Sequence, residues 1–419
     1  MPSESIRFIH SSDFHLERTL GDLDLIPDHL RDLLAAAPWS AAERVFAAAL
    51  VENVDFVVLS GDLLSPAAAG PRGMGFLLDH FDQLAEHEIP ILWATGGVDA
   101  LDRWPDEIPL PRNVTRFTTG NAQEVPIRRS GHTVALVYGR AGDGRQGLHA
   151  PSYRHDPTDL PTIAVGFGQT DPTALADSRF DYWAIGGRHQ YERLEGGAKI
   201  GAIYAGTPQG RSIAEPGPHG YQLVDIDSDG TSRVHFVESD TFRYFQVDLD
   251  GGDLGGGRDV RSVLAQRLQR LQHENNSRHL LVSWRLLPGN GETAAAVGDA
   301  GELLKSLRKD FGHITPSAWT LGVEVVPPDK FPANWYDEDT ILGDFLRAAD
   351  VHRKSAGREL NLDPVIEEHP GLDPAASQLL GEIDPRDRAG SINRAILLGV
   401  DLLRGGKPDL IGNAKAGSR

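Results

Sequence analysis

The sequence predicts an α/β protein, and three observations carry that prediction. Apolar, β-branched runs end repeatedly in polar turns: Arg7-Phe8-Ile9-His10 leads into Ser11-Ser12-Asp13, and Asp55-Phe56-Val57-Val58-Leu59 leads into Ser60-Gly61-Asp62. Helical stretches separate such runs at the spacing of a parallel β-α-β core. Hydrophobic residues make up 40% and charged residues 24% of the 419, the proportions of a globular chain with a real core, and the length predicts two or three domains.

Composition also excludes several classes. Cysteine is absent, which removes disulfides, zinc–thiolate sites and thiol nucleophiles and fits the cytoplasm. No apolar run approaches the length of a membrane span, and the N-terminus lacks the basic and apolar regions of a signal peptide. A net charge of −19 argues against strong non-specific DNA binding, which then requires a local patch or a basic partner. Acidity does not exclude a nuclease, because a bound metal reverses the local field.

Taken in order, the first strand ends at Asp13-x-His15. A helix follows over residues 28–37, and Pro38-Trp39-Ser40 opens another with Ser40 and Glu43 as a capping box. Val45, Phe46, Ala49 and Leu50 form its buried stripe. After the strand ending at Asp62 come a loop rich in Pro, Ala and Gly, a helix over residues 75–86, and a strand over 89–95 closed by Gly96-Gly97-Val98-Asp99.

From residue 114 to 139 short strands take over, and residues 140–160 read as a long loop. Further strands lie at 162–165, 182–185 (ending in Gly186-Gly187-Arg188-His189), 199–204 and 220–225. The stretch 225–230 resembles the start of a calcium loop, but its twelfth position is Phe236 where a carboxylate is needed, so it reads as a hairpin turn. A boundary falls near Asp240. Residues 241–330 then form a small β-α-β-α-β domain, and 331–419 a helical C-terminal region with helices at 340–352 and 391–404 and a disordered last fifteen residues.

Two carboxylates and an imidazole at the ends of two strands suit a hard or borderline divalent ion such as Mn²⁺, Fe²⁺ or Zn²⁺. A single Asp-x-His is equally an ordinary polar turn; the order of the later motifs is what raises it. Asp13-x-His15, Gly61-Asp62, Gly96-Gly97-Val98-Asp99 and Gly186-Gly187-Arg188-His189 together resemble the calcineurin-like metallophosphoesterases, whose pattern is D-x-H, G-D, G-N-H-[DE], a lone His, then G-H-x-H. The branch most similar is that of the DNA double-strand-break repair exonuclease subunits, the bacterial SbcD type. The opening Phe8-Ile9-His10-Ser11-Ser12-Asp13-Phe14-His15-Leu16 is similar to theirs, as is Tyr204-Ala205-Gly206-Thr207-Pro208-Gln209 with His219-Gly220-Tyr221 after it. The resemblance covers about residues 5–330.

The resemblance implies a metallophosphoesterase β-sandwich flanked by helices (residues 1–240), a smaller α/β cap of the DNA-recognition type, and a helical C-terminal region. It implies one divalent ion, manganese first and iron or zinc as alternatives, held by Asp13, His15, Asp62 and His189. A second ion would share Asp62 and add an Asn, the lone His and the first His of G-H-x-H. Here those positions are Gly97, a segment 162–168 without histidine, and Gly187. The histidine that assists the leaving group is replaced by Val98. One site is whole and the other stripped, with His155 as the nearest histidine in sequence to fill the gap.

Further residues each admit a functional and a structural role. His10 either supports Asp13 from behind or is a packed polar residue at a strand end. Arg188 either meets a phosphate or forms an ion pair. Asp99 reads as a turn cap, and Trp93 and Trp183 as core. Two functions compete: metal-dependent phosphodiester hydrolysis, as in a DNA exonuclease, or a catalytically silent scaffold for a coiled-coil ABC-type ATPase contacted through the helical C-terminal region. The family often dimerises, but no homodimer interface is legible. A serine hydrolase or nucleotide-binding module is excluded, since the chain has neither G-x-S-x-G nor a P-loop.

Overall fold

The computed structural model describes residues 5–23, 26–142, 147–175, 179–195, 198–227, 231–250, 259–275, 277–287, 300–326, 331–354 and 385–404. Strands β1 (Ile6–Ser11), β2 (Phe56–Leu59), β3 (Ile91–Trp93), β4 (Val114–Arg116), β5 (Gln123–Arg129) and β6 (His132–Gly139) are followed by β7 (Thr162–Phe167), β8 (Tyr182–Gly186) and β9 (Glu192–Leu194). β10 (Gly201–Tyr204), β11 (Gly220–Ile226) and β12 (Ser232–Glu238) complete two mixed sheets, ordered β12-β11-β1-β2-β3-β4 and β5-β6-β7-β8-β10-β9.

In the first sheet β1, β2 and β3 are parallel, and in the second β6, β7, β8 and β10 are. Each run therefore delivers several strand C-termini to one edge, the edge where α/β sheets hold ligands. Side chains of the two sheets interdigitate: Phe8, Phe56 and Val58 meet Val137, Val165 and Tyr182. Phe8 stacks on Phe56 at 4.7 Å and meets Tyr182 edge-on at 5.4 Å. Burial of each such side chain contributes roughly 1.5–3 kcal/mol.

The outer face of the first sheet is covered by α1 (Asp28–Val51) and α2 (Pro66–Glu86), through a second core that includes Phe46, Leu77, Phe81 and Trp93. Here the helices differ from expectation. The two expected at 28–37 and from Ser40 are one helix, with Pro38 inside it. An internal proline costs about 3 kcal/mol, and the continuous buried face of Leu34, Ala37, Ala41, Ala42 and Val45 offsets that cost. Ser40 and Glu43 are thus mid-helix and form no capping box. At 24 residues, α1 is also long and apolar enough to match a membrane span, contrary to the composition reading, but that face packs in the core.

Helix α2 starts nine residues before its expected position, in the stretch read as a loop. Gly70, with φ 62° and ψ −164°, breaks it, and Pro71 restarts it.

The hairpin reading of 225–230 agrees with the antiparallel pairing of β11 and β12, closed by the Asp227 amide donating to the Thr231 carbonyl at 2.7 Å. The chain divides into two units, Met1–Phe245 and Gln246–Arg419. Strand β13 (Phe242–Leu249) crosses that division and joins β14 (His279–Leu286) and β15 (Ala318–Val325) in a third sheet. Helix α3 (Pro172–Leu175) is a single turn in the first unit; α4 (Val260–Glu274) and α5 (Ala300–Phe311) belong to the second. The α4 N-terminus is capped by Asp259, which accepts from the Ser262 amide. Helices α6 (Ala333–Asp337), α7 (Ile341–Lys354) and α8 (Pro385–Leu403) bury Phe331, Leu346, Ile396 and Val400. The expected disordered last fifteen residues lie wholly outside the described residues.

Candidate metal centre

Asp13 and His15 sit in the loop after β1, Asp62 in the loop after β2, and His189 in the loop after β8. The first two loops are zipped together by backbone bonds. The Asp13 amide donates to the Gly61 carbonyl (2.9 Å) and the His15 amide to the Asp62 carbonyl (3.0 Å). The fit forces the left-handed backbone on three non-glycine residues, Asp13 (φ 55°), His15 (φ 41°) and Asp62 (φ 54°), and such strain concentrates at functional sites. Strand β8 closes the arrangement at Gly186, where a Cβ would lie 1.7 Å from the Ser60 carbonyl oxygen, so only glycine fits.

Asp13, His15 and His189 bring one ligand atom each within 4.8 Å of the others. Asp62 lies outside that group but adjoins it, with Oδ2 3.6 Å from His15 Nε2. Asp13 is fully buried. Its Oδ2 accepts from Ser12 Oγ (2.6 Å) and the Gly187 amide (3.0 Å), while Oδ1 has no partner among the described residues. Burial pushes this carboxyl well above the usual range, a cost that an adjacent cation removes.

The imidazoles are oriented by two carboxylates that sequence reasoning did not identify. His15 Nδ1 donates to Glu17 Oε1 (3.2 Å) and His189 Nδ1 to Glu215 Oε1 (2.5 Å). Both Nε2 atoms then face inward, 3.2 Å apart. Two nitrogens bound to one ion at about 2.1 Å lie roughly 3 Å apart. A carboxylate behind each imidazole is also the arrangement that fixes metal-binding tautomers. Against the opposing pull of burial, the bond and charge of His189 hold the Glu215 carboxyl down at about 2, and its own bond to Glu215 raises His189. An orphaned carboxylate oxygen and two inward nitrogens form a donor set that fits a divalent ion.

Arg211, also missed, is buried beneath the cluster. It donates to Thr207 Oγ1 (2.9 Å) and to the carbonyls of Asp13 (3.3 Å) and Phe14, so it pins the strained loop, and its amide donates to Glu215 Oε2 (2.8 Å). Glu17 stands two residues after His15 and was within reach of sequence reasoning. Glu215 and Arg211 arrive from a distant loop with no local signature.

The remaining residues fall differently. Both ring nitrogens of His10 are used, by Tyr182 Oη (3.0 Å) and Ser60 Oγ (2.9 Å), which fits the alternative of a packed polar residue at a strand end. Burial drives its pKa down to about 3, so it is neutral. Arg188 bonds Gln169 Oε1 (2.8 Å) and Glu192 and lies over the Tyr204 ring at 4.3 Å, the ion-pair alternative rather than a free phosphate contact. Asp99 accepts from the amides of Asp62, Leu63 and Gly96 and from Trp93 Nε1, as a turn cap does. His155 packs against Phe180 and Tyr138 and bonds the Asp156 carbonyl. At the positions where a second ion would be expected, the Val98 amide donates to Asp62 Oδ1 (2.8 Å), and the Phe167 ring lies against Gly187.

Two mixed sheets flanked by helices, with paired imidazoles and carboxylates at the strand ends, are consistent with a metallophosphoesterase fold. No family model matches the chain. Sequence comparison nonetheless finds a Bacillus subtilis protein described as the uncharacterized metallophosphoesterase YhaO, 29% identical over 252 residues, covering 55% of this chain and 61% of that protein. It also finds the DNA double-strand break repair protein Mre11 of Haloferax volcanii, 28% identical over 265 residues, covering 59% of this chain and 56% of that one. The chain is thus similar to metallophosphoesterases, one of them a DNA double-strand break repair protein. The matches span about three-fifths of the length of these relatives.

Proposed function

We propose that this protein is a metal-dependent phosphodiester hydrolase of the DNA-repair exonuclease kind, with a single-ion centre formed by Asp13, His15, Asp62 and His189. The observation that carries this reading is the pair of imidazoles, each backed by its own carboxylate, facing the unpartnered Asp13 oxygen. An ion bound there supplies Lewis-acid polarisation of a phosphoryl oxygen and a nucleophile at neutral pH. Asp13 and Asp62 offset its charge, Glu17 and Glu215 keep the imidazoles in register, and Arg211 holds the Asp13 loop. The His189 side chain is 29% exposed, which leaves solvent a path to the centre. The family resemblance puts manganese first, with iron or zinc as alternatives, and a cysteine-free chain suits the reducing cytoplasm.

Metal content of protein purified without chelator, measured on wild type and His189→Ala, tests the centre. Cleavage of double-stranded DNA and of bis(p-nitrophenyl) phosphate with Mn²⁺, in wild type and Asp62→Ala, tests the chemistry. An ion bound by wild type and lost in His189→Ala, with hydrolysis abolished by Asp62→Ala, supports the proposal. Failure of metal-loaded wild type to cleave any diester overturns it.

Val98 favours a second reading, because it offers no proton to a leaving group. In that reading the chain is a silent subunit for a coiled-coil ABC-type ATPase, contacted through residues 331–419. Co-purification with such an ATPase, lost on deleting that region, supports it; no association with or without the region removes it.

A further inference from the structure

We infer that Phe167 is a plug: its ring fills the ground that a second ion would need and keeps the centre mononuclear. This rests on the one-ion reading above and goes further, since it replaces a vacancy left by missing ligands with a side chain that closes the space.

Phe167 ends β7, within the segment where the family resemblance places a lone histidine, so the phenyl ring stands where an imidazole donor would come from. Its packing leaves little room. A Cβ at Gly61 would lie 2.5 Å from Phe167 Cδ2, one at Gly96 2.7 Å from Cε2, and one at Gly142 2.9 Å from Cδ1. The ring is therefore seated directly on the backbone of the loops after β2 and β3. A Cβ at Gly187 would stand 3.3 Å from Phe167 Cζ, and its φ of 98° is one that a side-chain-bearing residue rarely adopts.

The shared ligand is closed from the other side. Asp62 Oδ1 accepts the Val98 amide at 2.8 Å, and Oδ2 lies 3.6 Å from His15 Nε2. The Phe167 ring adds only carbon to this ground and offers no donor to an ion, where an imidazole would offer one. Absent ligands alone leave a hole that solvent can enter. Here a phenyl ring takes up part of it, beside half-buried Gly97, Val98 and Gly187.

The test is Mn²⁺ uptake, by equilibrium dialysis and elemental analysis, with low-temperature electron paramagnetic resonance to detect exchange-coupled ion pairs. Wild type, Phe167→Leu, Phe167→His and Phe167→His/Gly97→Asn are compared. Wild type and Phe167→Leu are expected to saturate at about one ion per chain, and the double variant to approach two with a coupled-pair signal. Phe167→His alone is expected to show partial second uptake. Retention of the first ion reports that a variant has kept the centre intact. Two ions in wild type would overturn the plug outright. One ion in every variant that keeps its first would also overturn it, while leaving the one-ion centre standing. No ion in wild type would overturn that centre, and this inference with it.

Discussion

The two flanks of the strand-end seam differ in what they bury. On the Asp13–His189 flank, polar atoms are packed at high cost and one carboxylate oxygen stays without a partner. On the Phe167 flank a phenyl ring lies on glycine backbone, and Asp62 Oδ1 accepts the Val98 amide. The first flank leaves a buried carboxylate oxygen without a partner among the described residues; on the second, the Asp62 oxygen has one. The contrast teaches that a degenerate motif is read better from what fills its space than from what it lacks.

The largest effect is expected from Asp13→Asn. Loss of a direct ligand should weaken Mn²⁺ binding more than about 100-fold, beyond the 10–100-fold typical of supporting residues. In the ion-free state, removing a carboxyl that burial disfavours should raise the unfolding temperature instead, roughly 2–4 °C per kcal/mol relieved. Opposite movements of affinity and ion-free stability, read by titration calorimetry and thermal melts, would establish this flank as cation-dependent; parallel loss would break the comparison.

Glu215→Gln comes next, with an expected 10–100-fold loss of Mn²⁺ affinity. Glu17→Gln should cost less, because its bond to His15 is longer, 3.2 Å against 2.5 Å. Equal losses would show the two imidazoles to be held alike.

A third, smaller effect concerns His10, buried with Tyr182 and Ser60. The folded protein keeps it neutral down to about 3, whereas the unfolded chain takes up a proton near its ordinary value of 6.5. Below 6.5 the unfolded state therefore binds more protons, and stability falls as pH falls. Between pH 7 and 5.5 this amounts to roughly 1 kcal/mol. Denaturant melts of wild type and His10→Gln should show the slope shrinking in the variant.

Arg188→Met should matter least. Its ion pair is partly exposed, and such pairs contribute about 0–1 kcal/mol; Mn²⁺ affinity should stay within roughly threefold. A raised KM for DNA at unchanged kcat would instead restore Arg188 as a phosphate contact.

Much of the frame was legible. β1, β2 and β8 are apolar runs with polar stops, and both the run and the stop are local signals. Helix α1 was misread because Pro38 is a local breaker, while the buried face that overrides it exists only against the sheet. The first turns of α2 were hidden by the same chemistry, Pro and Gly in a segment whose kink the tertiary structure accepts. Of the four residues that motif order points to, Asp13, His15 and His189 gather ligand atoms within 4.8 Å of one another and Asp62 adjoins them. Glu215 and Arg211 were not legible, because the loop that brings them in lies some two hundred residues from β1. Phe167 was passed over because an absent histidine draws attention to the gap rather than to its occupant.

The zipped loops after β1 and β2 bear on metal supply. Their donors are set by the protein's own amides, so the cavity is formed before an ion arrives and does not reshape itself to favour one. A rigid mixed nitrogen–oxygen set follows the general affinity order of divalent metals, in which zinc and copper outcompete manganese. The ion recovered with the protein should therefore track availability in the host: manganese-rich growth should load manganese, and zinc contamination during purification should displace it.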